Sequence, residues 1–220
     1  VSFRYTPDTA PVLRGIDLVV EKGNRVGIVG ATGSGKSTLL DILMGLLEPT
    51  DGSLSIDGHV VNDANARSWQ EHIAHVPQAI FLADASVEEN IAIGVPRDCI
   101  DRRLLEDAAR QAQIHDVILA LPEGYATTVG ERGVRLSGGQ RQRIGIARAL
   151  YKRADVILFD EATSALDGKT ETAVMEAIES LGPRLTVFII AHRLETLRNC
   201  DYVLELKDGL IINKGPFLTR

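Results

Sequence analysis

The chain has 220 residues, of which 45% are hydrophobic and 25% charged, with a formal net charge of −6. Those proportions exclude a disordered or low-complexity chain and provide for one sizeable core. The negative balance, with a pI near 5.4, argues against broad attraction to nucleic acid or anionic lipid. The longest apolar run, Leu185–Ala191, falls far short of the roughly 20 residues that cross a bilayer.

In chain order, short β-rich runs come first: Val1 to Tyr5, Ile16 to Glu21, Val26 to Gly30, Ser53 to Ile56 and Ile73 to Val76, separated by Gly, Asp and Pro. One helix interrupts them, from Gly35 through Leu39, Leu40, Leu43 and Met44, until Pro49 and Asp51-Gly52 close it. The middle third predicts helices over Val87 to Ile93, Asp101 to Gln113 and His115 to Ala120, a helical insertion. The last third alternates strand and helix: strands at Val156 to Asp160, Thr186 to Ile190 and Tyr202 to Lys207, a helix from Gly168 to Ser180, and a hairpin through Asp208-Gly209 into Leu210 to Asn213. No internal repeat or flexible linker is present. Cys99 and Cys200 lie far apart without metal-ligand spacing and read as reduced thiols of a cytosolic environment. Opening at Val1 inside a strand-like run, without an initiator Met or signal segment, the chain is expected to be part of something longer.

Gly30-Ala31-Thr32-Gly33-Ser34-Gly35-Lys36-Ser37 fits G-x-x-x-x-G-K-[ST] between a strand and an apolar helix. Its glycines let successive N–H groups turn inward, and the helix N-terminus adds positive potential, so the loop can cradle a nucleotide β-phosphate. Lys36 would reach the β and γ phosphates, Ser37 would offer its hydroxyl to Mg²⁺, and Thr38 would stand near the α-phosphate. Asp160 ends an apolar strand, where an acid either closes a turn or holds Mg²⁺. Glu161 behind it supplies a second carboxylate able to polarise an attacking water. Leu136-Ser137-Gly138-Gly139-Gln140 opens a further helix, Arg141 to Tyr151. Ser137 there is an N-cap, or the loop is a second anion cradle serving a nucleotide held by another copy head to tail.

With these motifs the sequence resembles the nucleotide-binding domain of ATP-binding-cassette transporters over nearly its whole length, Leu136 to Gln140 matching that family's signature loop letter for letter. The resemblance implies an α/β fold: a P-loop NTPase core with a mostly parallel central sheet, an antiparallel β subdomain on the N-terminal side and a helical signature subdomain inserted in the middle. It implies one ATPase domain over 1–220, divided into a β-rich phosphate-loop part (1–78), a helical part (79–150) and the remainder of the core (151–220), the membrane domain being absent. By the same resemblance, Tyr5 stacks on adenine, Gln78 after Val76-Pro77 touches Mg²⁺ or water and reports the γ-phosphate, Asp160 is the Walker B acid and Glu161 the catalytic carboxylate. Ser164-Ala165-Leu166-Asp167 is the D-loop and His192 the switch histidine. Each has a plainer reading: Tyr5 as a packing aromatic, Gln78 as a turn residue, His192 as structural, Asp167 as cap of the helix from Gly168. The implied cofactors are ATP and Mg²⁺. The implied partners are a second cassette, clamping two ATP between the copies, and a transmembrane domain fused N-terminally in the parent chain, at the cytoplasmic face of a bacterial inner membrane.

Val129-Gly130-Glu131-Arg132-Gly133 is similar to the exporter segment that contacts coupling helices. The runs from Ala173 and Leu197 faintly resemble flippases for lipid-linked saccharides. Two departures stand out, Gly145 where many relatives carry Ala and Glu195 where Ser is commoner. A DNA-repair or chromosome-organising cassette would carry a long coiled coil between Ser37 and Leu136, where no heptads occur. A ribosome-acting tandem cassette would show a basic surface, and a binding-only cassette would lack Glu161. No nucleic-acid partner is expected.

Overall fold

The computed structural model describes residues 1–161, 172–173, 176, 178, 185–191 and 194–216. The chain divides into two compact units: Val1–Ala74 with Asp155–Asp160 and Pro183–Arg220, and His75–Ala154 with Glu161–Gly182.

In the first unit the elements are β1 (Arg25–Val29), α1 (Lys36–Leu43), β2 (Ser55–Ile56), β3 (His59–Val60), α2 (Ala66–His72), β4 (Ile73–Val76), which runs into the second unit, β5 (Val156–Asp160), β6 (Thr186–Ile190), β7 (Tyr202–Lys207) and β8 (Leu210–Gly215). Six form one sheet in the order β4-β5-β6-β1-β7-β8. The pairs β5–β6, β6–β1 and β1–β7 are parallel, and β7–β8 is an antiparallel hairpin. Strands covered on both faces need apolar side chains in both directions, which is why β5 and β6 read as near-continuous Val, Ile, Leu and Phe. All five residues of β6 are buried. Leu39, Leu40 and Ile42 of α1 share one core with Val26, Ile28, Leu158, Phe188 and Leu204. Each such side chain contributes about 1.5–3 kcal/mol relative to exposure. The expected mostly parallel α/β sheet is therefore present, with its hairpin turning at Asp208 and Gly209, both at positive φ as a two-residue turn requires.

The antiparallel part is less regular than the alternating pattern of the first runs predicts. Among the described residues its one ladder is β2–β3. Val1 to Tyr5 pairs through two isolated bridges, Ser2 with Asp51 and Phe3 with Leu13, and Ile16 to Glu21 is in no strand. Helix α2 has no sequence expectation behind it: its one large apolar residue, Trp69, makes no periodic stripe. Tertiary contacts hold it, Trp69 Nε1 donating to Leu43 O at 2.7 Å and Gln70 Nε2 to Gly45 O at 3.1 Å.

The second unit is the helical insertion: α3 (Val87–Ile91), α4 (Arg102–Gln111), α5 (His115–Leu119) and α6 (Gly138–Tyr151). Helix α6 packs on α3 and α4. A capping box of Ser86 and Glu89 starts α3, and the Asp101 carboxylate accepts from Leu104 N at the start of α4. Glu88 is fully buried, and Arg97 at 3.3 Å and Arg102 balance its charge. Arg148 donates to Asn90 O at 2.9 Å and Phe81 O at 3.0 Å, and burial pulls its pKa below the ordinary arginine value. Of the helix expected over 168–180, Thr172, Ala173, Glu176 and Ile178 are described and helical; the rest lies outside the described residues.

Candidate nucleotide site

Beyond β1 the chain turns through Gly30, Ala31, Thr32, Gly33, Ser34 and Gly35 into α1. Two glycines there have a steric cause. A Cβ on Gly30 would lie 2.3 Å from Leu206 O, and one on Gly35, at φ 105°, would lie 2.8 Å from Leu13 Cδ2. The loop is thus pressed against β7 and the segment before β1, and the β7–β8 turn braces it further, Gly209 N donating to Ser34 O at 3.2 Å. This bracing escapes a sequence reading, which sees the turn but not what the turn touches.

Gly35 offers no side-chain acceptor to the first turn of α1, and no acidic residue lies in that turn. The N-terminal N–H groups and the positive end of the helix dipole are therefore left for an external anion. Lys36 is 8% exposed. Its Nζ folds back over the loop to donate to Gly30 O at 2.8 Å and Ala31 O at 3.1 Å. Ser34 Oγ is buried and, among the described residues, has no hydrogen-bond partner, a polar atom aimed into the loop with capacity to spare. Ser37 is exposed and Thr38 buried. The Tyr5 hydroxyl lies 3.1 Å from Thr38 Oγ1. Its ring meets Phe3 edge-on at 5.0 Å between centroids, yet Tyr5 remains 59% exposed. Packing against Phe3 therefore leaves more than half of the Tyr5 side chain open.

Asp160 ends β5 in register with Ile190 of β6, and Ile190 is in register with Ile28 of β1. The carboxylate-bearing residue is level with the strand end that feeds the loop, two strand spacings or about 10 Å away. Among the described residues no group of three or more His, Cys, Asp or Glu could hold a metal. The Ser37 hydroxyl and the Asp160 carboxylate are oxygen donors, the kind that a hard cation takes beside phosphate oxygens. Glu161 follows at φ 51°, a left-handed conformation uncommon for a non-glycine residue.

In the second unit, Gln78 is exposed just after β4. Ser137 caps α6 in a full capping box: Ser137 Oγ accepts from Gln140 N at 3.2 Å and Gln140 Oε1 accepts from Ser137 N at 2.8 Å. The plainer reading of Ser137 is thus correct, and it leaves the phosphate reading open. Among the described residues no hydrogen bond reaches the N–H groups of Gly138 and Gly139, and a Cβ on Gly138 would meet nothing within 4 Å. Arg141 Nη1 donates to Leu136 O at 2.6 Å and so fixes the loop. Just before it, Arg132 stands at φ 53° between two positive-φ glycines, Gly130 and Gly133. His192, Asp167 and the rest of the D-loop, Ser164 to Leu166, lie outside the described residues.

A family model described as ABC transporter matches residues 13–164, more than half of the chain. The chain belongs to the ABC transporter family. It is 46% identical over 219 residues to an ATP-dependent lipid A-core flippase of Saccharophagus degradans, covering all of this chain and 37% of that protein. It is 42% identical to the putative multidrug export ATP-binding/permease protein YgaD of Bacillus subtilis, over 98% of this chain and 37% of that one. Among solved structures, a bacterial Atm1-family ABC exporter with ATP bound matches at a TM-score of 0.89 and 40% identity, over 99% of this chain and 38% of that one. In fold and family the chain is an exporter-type nucleotide-binding domain. It spans little more than a third of the length of these relatives.

Proposed function

We propose that this ABC domain hydrolyses ATP to ADP and phosphate and thereby powers export or flipping by a membrane transporter. One observation carries the reading: the glycine-cornered loop holds Lys36 over an uncapped α1 N-terminus. That combination binds a polyphosphate and has no evident structural purpose.

In this reading Gly30 to Gly35 wrap the β-phosphate with backbone N–H groups, and Lys36 releases the Gly30 and Ala31 carbonyls to meet the β and γ phosphates. Thr38 stands by the α-phosphate, and Tyr5 stacks on adenine with its exposed face. Mg²⁺, when bound, neutralises phosphate charge, and Ser37, Asp160 and Gln78 would hold it. Glu161 takes the proton from the attacking water, and His192 contacts the γ-phosphate. Ser137, Gly138, Gly139 and Gln140 face the nucleotide of a second cassette in a head-to-tail pair, with Asp167 at the same interface. The chain acts as one cassette with a β-rich part (1–78), a helical part (79–150) and a closing part (151–220). Its other partner is a transmembrane domain N-terminal to it in the parent chain, and the assembly works at the cytoplasmic face of a bacterial inner membrane.

Glu161→Gln tests the reading. It keeps shape but removes the base, so turnover should fall on the order of a hundred- to ten-thousand-fold with ATP affinity retained. The variant should accumulate as an ATP-bound dimer by light scattering with Mg-ATP at matched high concentration. Hydrolysis at the wild-type rate would remove Glu161 from the mechanism and make His192 the next residue to replace.

A further inference from the structure

Helix α6 holds more than the signature loop at its start. Gln142, Gly145 and Arg148 recur at three-residue spacing along one side of it, and each meets the segment that leaves β4. Gln142 Nε2 donates to Pro77 O at 3.3 Å. Gly145, having no side chain, leaves its surface to Ile80, whose Cδ1 fills the place a Cβ would take. Arg148 Nη2 donates to Phe81 O at 3.0 Å. The segment 77–81 is thus laid along α6, with Gln78 between its anchors. All of these residues belong to the second unit.

Of these anchors Gln142 acts closest to Gln78, and its chemistry is unusual for its place. It is 4% exposed, where an apolar side chain would serve packing, since a buried amide costs free energy unless its hydrogen bonds are made. The bond it makes goes to a carbonyl with leverage. Pro77 C=O and Gln78 N–H share one planar peptide unit. The ring of Pro77 fixes its φ and leaves it no N–H, so rotation of that plane about the Pro77 Cα–C bond is the freedom that remains between the end of β4 at Val76 and Gln78. A donor on the carbonyl oxygen restrains it. The Gln78 side chain is exposed, so its direction depends on this backbone and not on burial. Gln140 and Arg141, just ahead of Gln142, fix the signature loop. Consecutive residues of α6 therefore hold that loop and the Gln78 peptide to one helix.

We propose that Gln142 is a positioning residue for ATP hydrolysis, which holds the Pro77–Gln78 peptide on α6 so that Gln78 and the signature loop keep a fixed spacing. The inference rests on the reading of Gln78 as a contact of Mg²⁺ or of the attacking water, and Gln142 acts only through it. Residues that orient a ligand in this way change activity about 10–100-fold without meeting the reacting atoms. Losing the Gln142 bond leaves the phosphate loop and Lys36 as they are. Binding and turnover should therefore part company, ATP affinity being retained while kcat falls.

The test is a double-mutant cycle of Gln142→Met, which keeps length and packing but removes the donor, with Gln78→Ala. Gln142→Met alone should lower kcat at least about tenfold and raise the Mg²⁺ concentration for half-maximal turnover. Its dissociation constant for ATP, titrated without Mg²⁺, should stay within about twofold of wild type. In the Gln78→Ala background the same change should cost less than about twofold further, because the residue acts through Gln78. Gln142→Leu supplies the same readout if Gln142→Met lowers the thermal midpoint. Wild-type kcat in both Gln142 variants would overturn the proposal. So would equal losses from Gln142→Met with and without Gln78, since a residue that merely packs α6 acts independently of it. If Gln78→Ala itself turns over at the wild-type rate, the reading of Gln78 fails and the proposal falls with it, whereas a slow Gln78→Ala beside an active Gln142→Met defeats the proposal alone.

Discussion

Lys36 Nζ lies 2.8 Å from the carbonyl oxygen of Gly30, six positions earlier, so the loop's cation is stored against its own backbone. Binding replaces those carbonyls with phosphate oxygens, a neutral acceptor with a charged one. Lys36→Ala removes a charge-assisted interaction of about 1.5–3 kcal/mol. ATP affinity in a calorimetric titration should fall about ten- to a hundredfold, and unchanged affinity would sink the phosphate-loop assignment.

Tyr5 separates ring from hydroxyl. Tyr5→Phe deletes the part-buried contact to Thr38 Oγ1 but keeps the ring on Phe3 and so the stacking surface, and affinity for ATP and GTP should stay within about twofold. Tyr5→Ala should weaken both nucleotides alike by about 1–3 kcal/mol, the range of a base–aromatic stack. A loss confined to ATP, read by competition titration, would mean that Tyr5 reads hydrogen-bonding groups of the base.

For Ser137 the cap and the proposed phosphate contact can be pulled apart. Asp is as good an N-cap as Ser, so Ser137→Asp should keep the thermal midpoint and the monomer's ATP affinity. Its negative charge would oppose a partner's γ-phosphate, and turnover should drop at least about tenfold in a phosphate-release assay. Full activity would leave Ser137 as a cap alone.

Gly145 explains a departure from the family pattern. A Cβ there would lie 2.4 Å from Ile80 Cδ1. Gly145→Ala gains about 1 kcal/mol of helix propensity and displaces the end of the half-buried Ile80 side chain, two opposed effects that should leave the single variant melting close to the wild-type temperature. Adding Ile80→Ala opens the space, and a double-mutant cycle by urea unfolding should show a coupling of at least about 0.5 kcal/mol. Strict additivity would mean that the two residues do not share the site.

The phosphate loop, β5, β6 and the capped start of α6 were legible in the sequence because their causes are local. A buried parallel strand must be apolar at every position, a helix start needs an acceptor side chain, and a phosphate turn needs glycines at set intervals. Helix α2 was not legible, because Trp69 and Gln70 hold it through carbonyls of Leu43 and Gly45 that lie far back in the chain. The same holds for Val1 to Tyr5 and Ile16 to Glu21, whose alternating pattern is genuine but whose partners, Asp51 and Leu13 for the first, are set by long-range contacts. Only the tertiary structure put Asp160 level with Ile28, since β6, the strand between them, comes later in the chain than both. Residue chemistry and spacing thus determined which groups can bind phosphate. Long-range packing decided which of them face the same edge, because register across a sheet depends on strands that no local pattern orders.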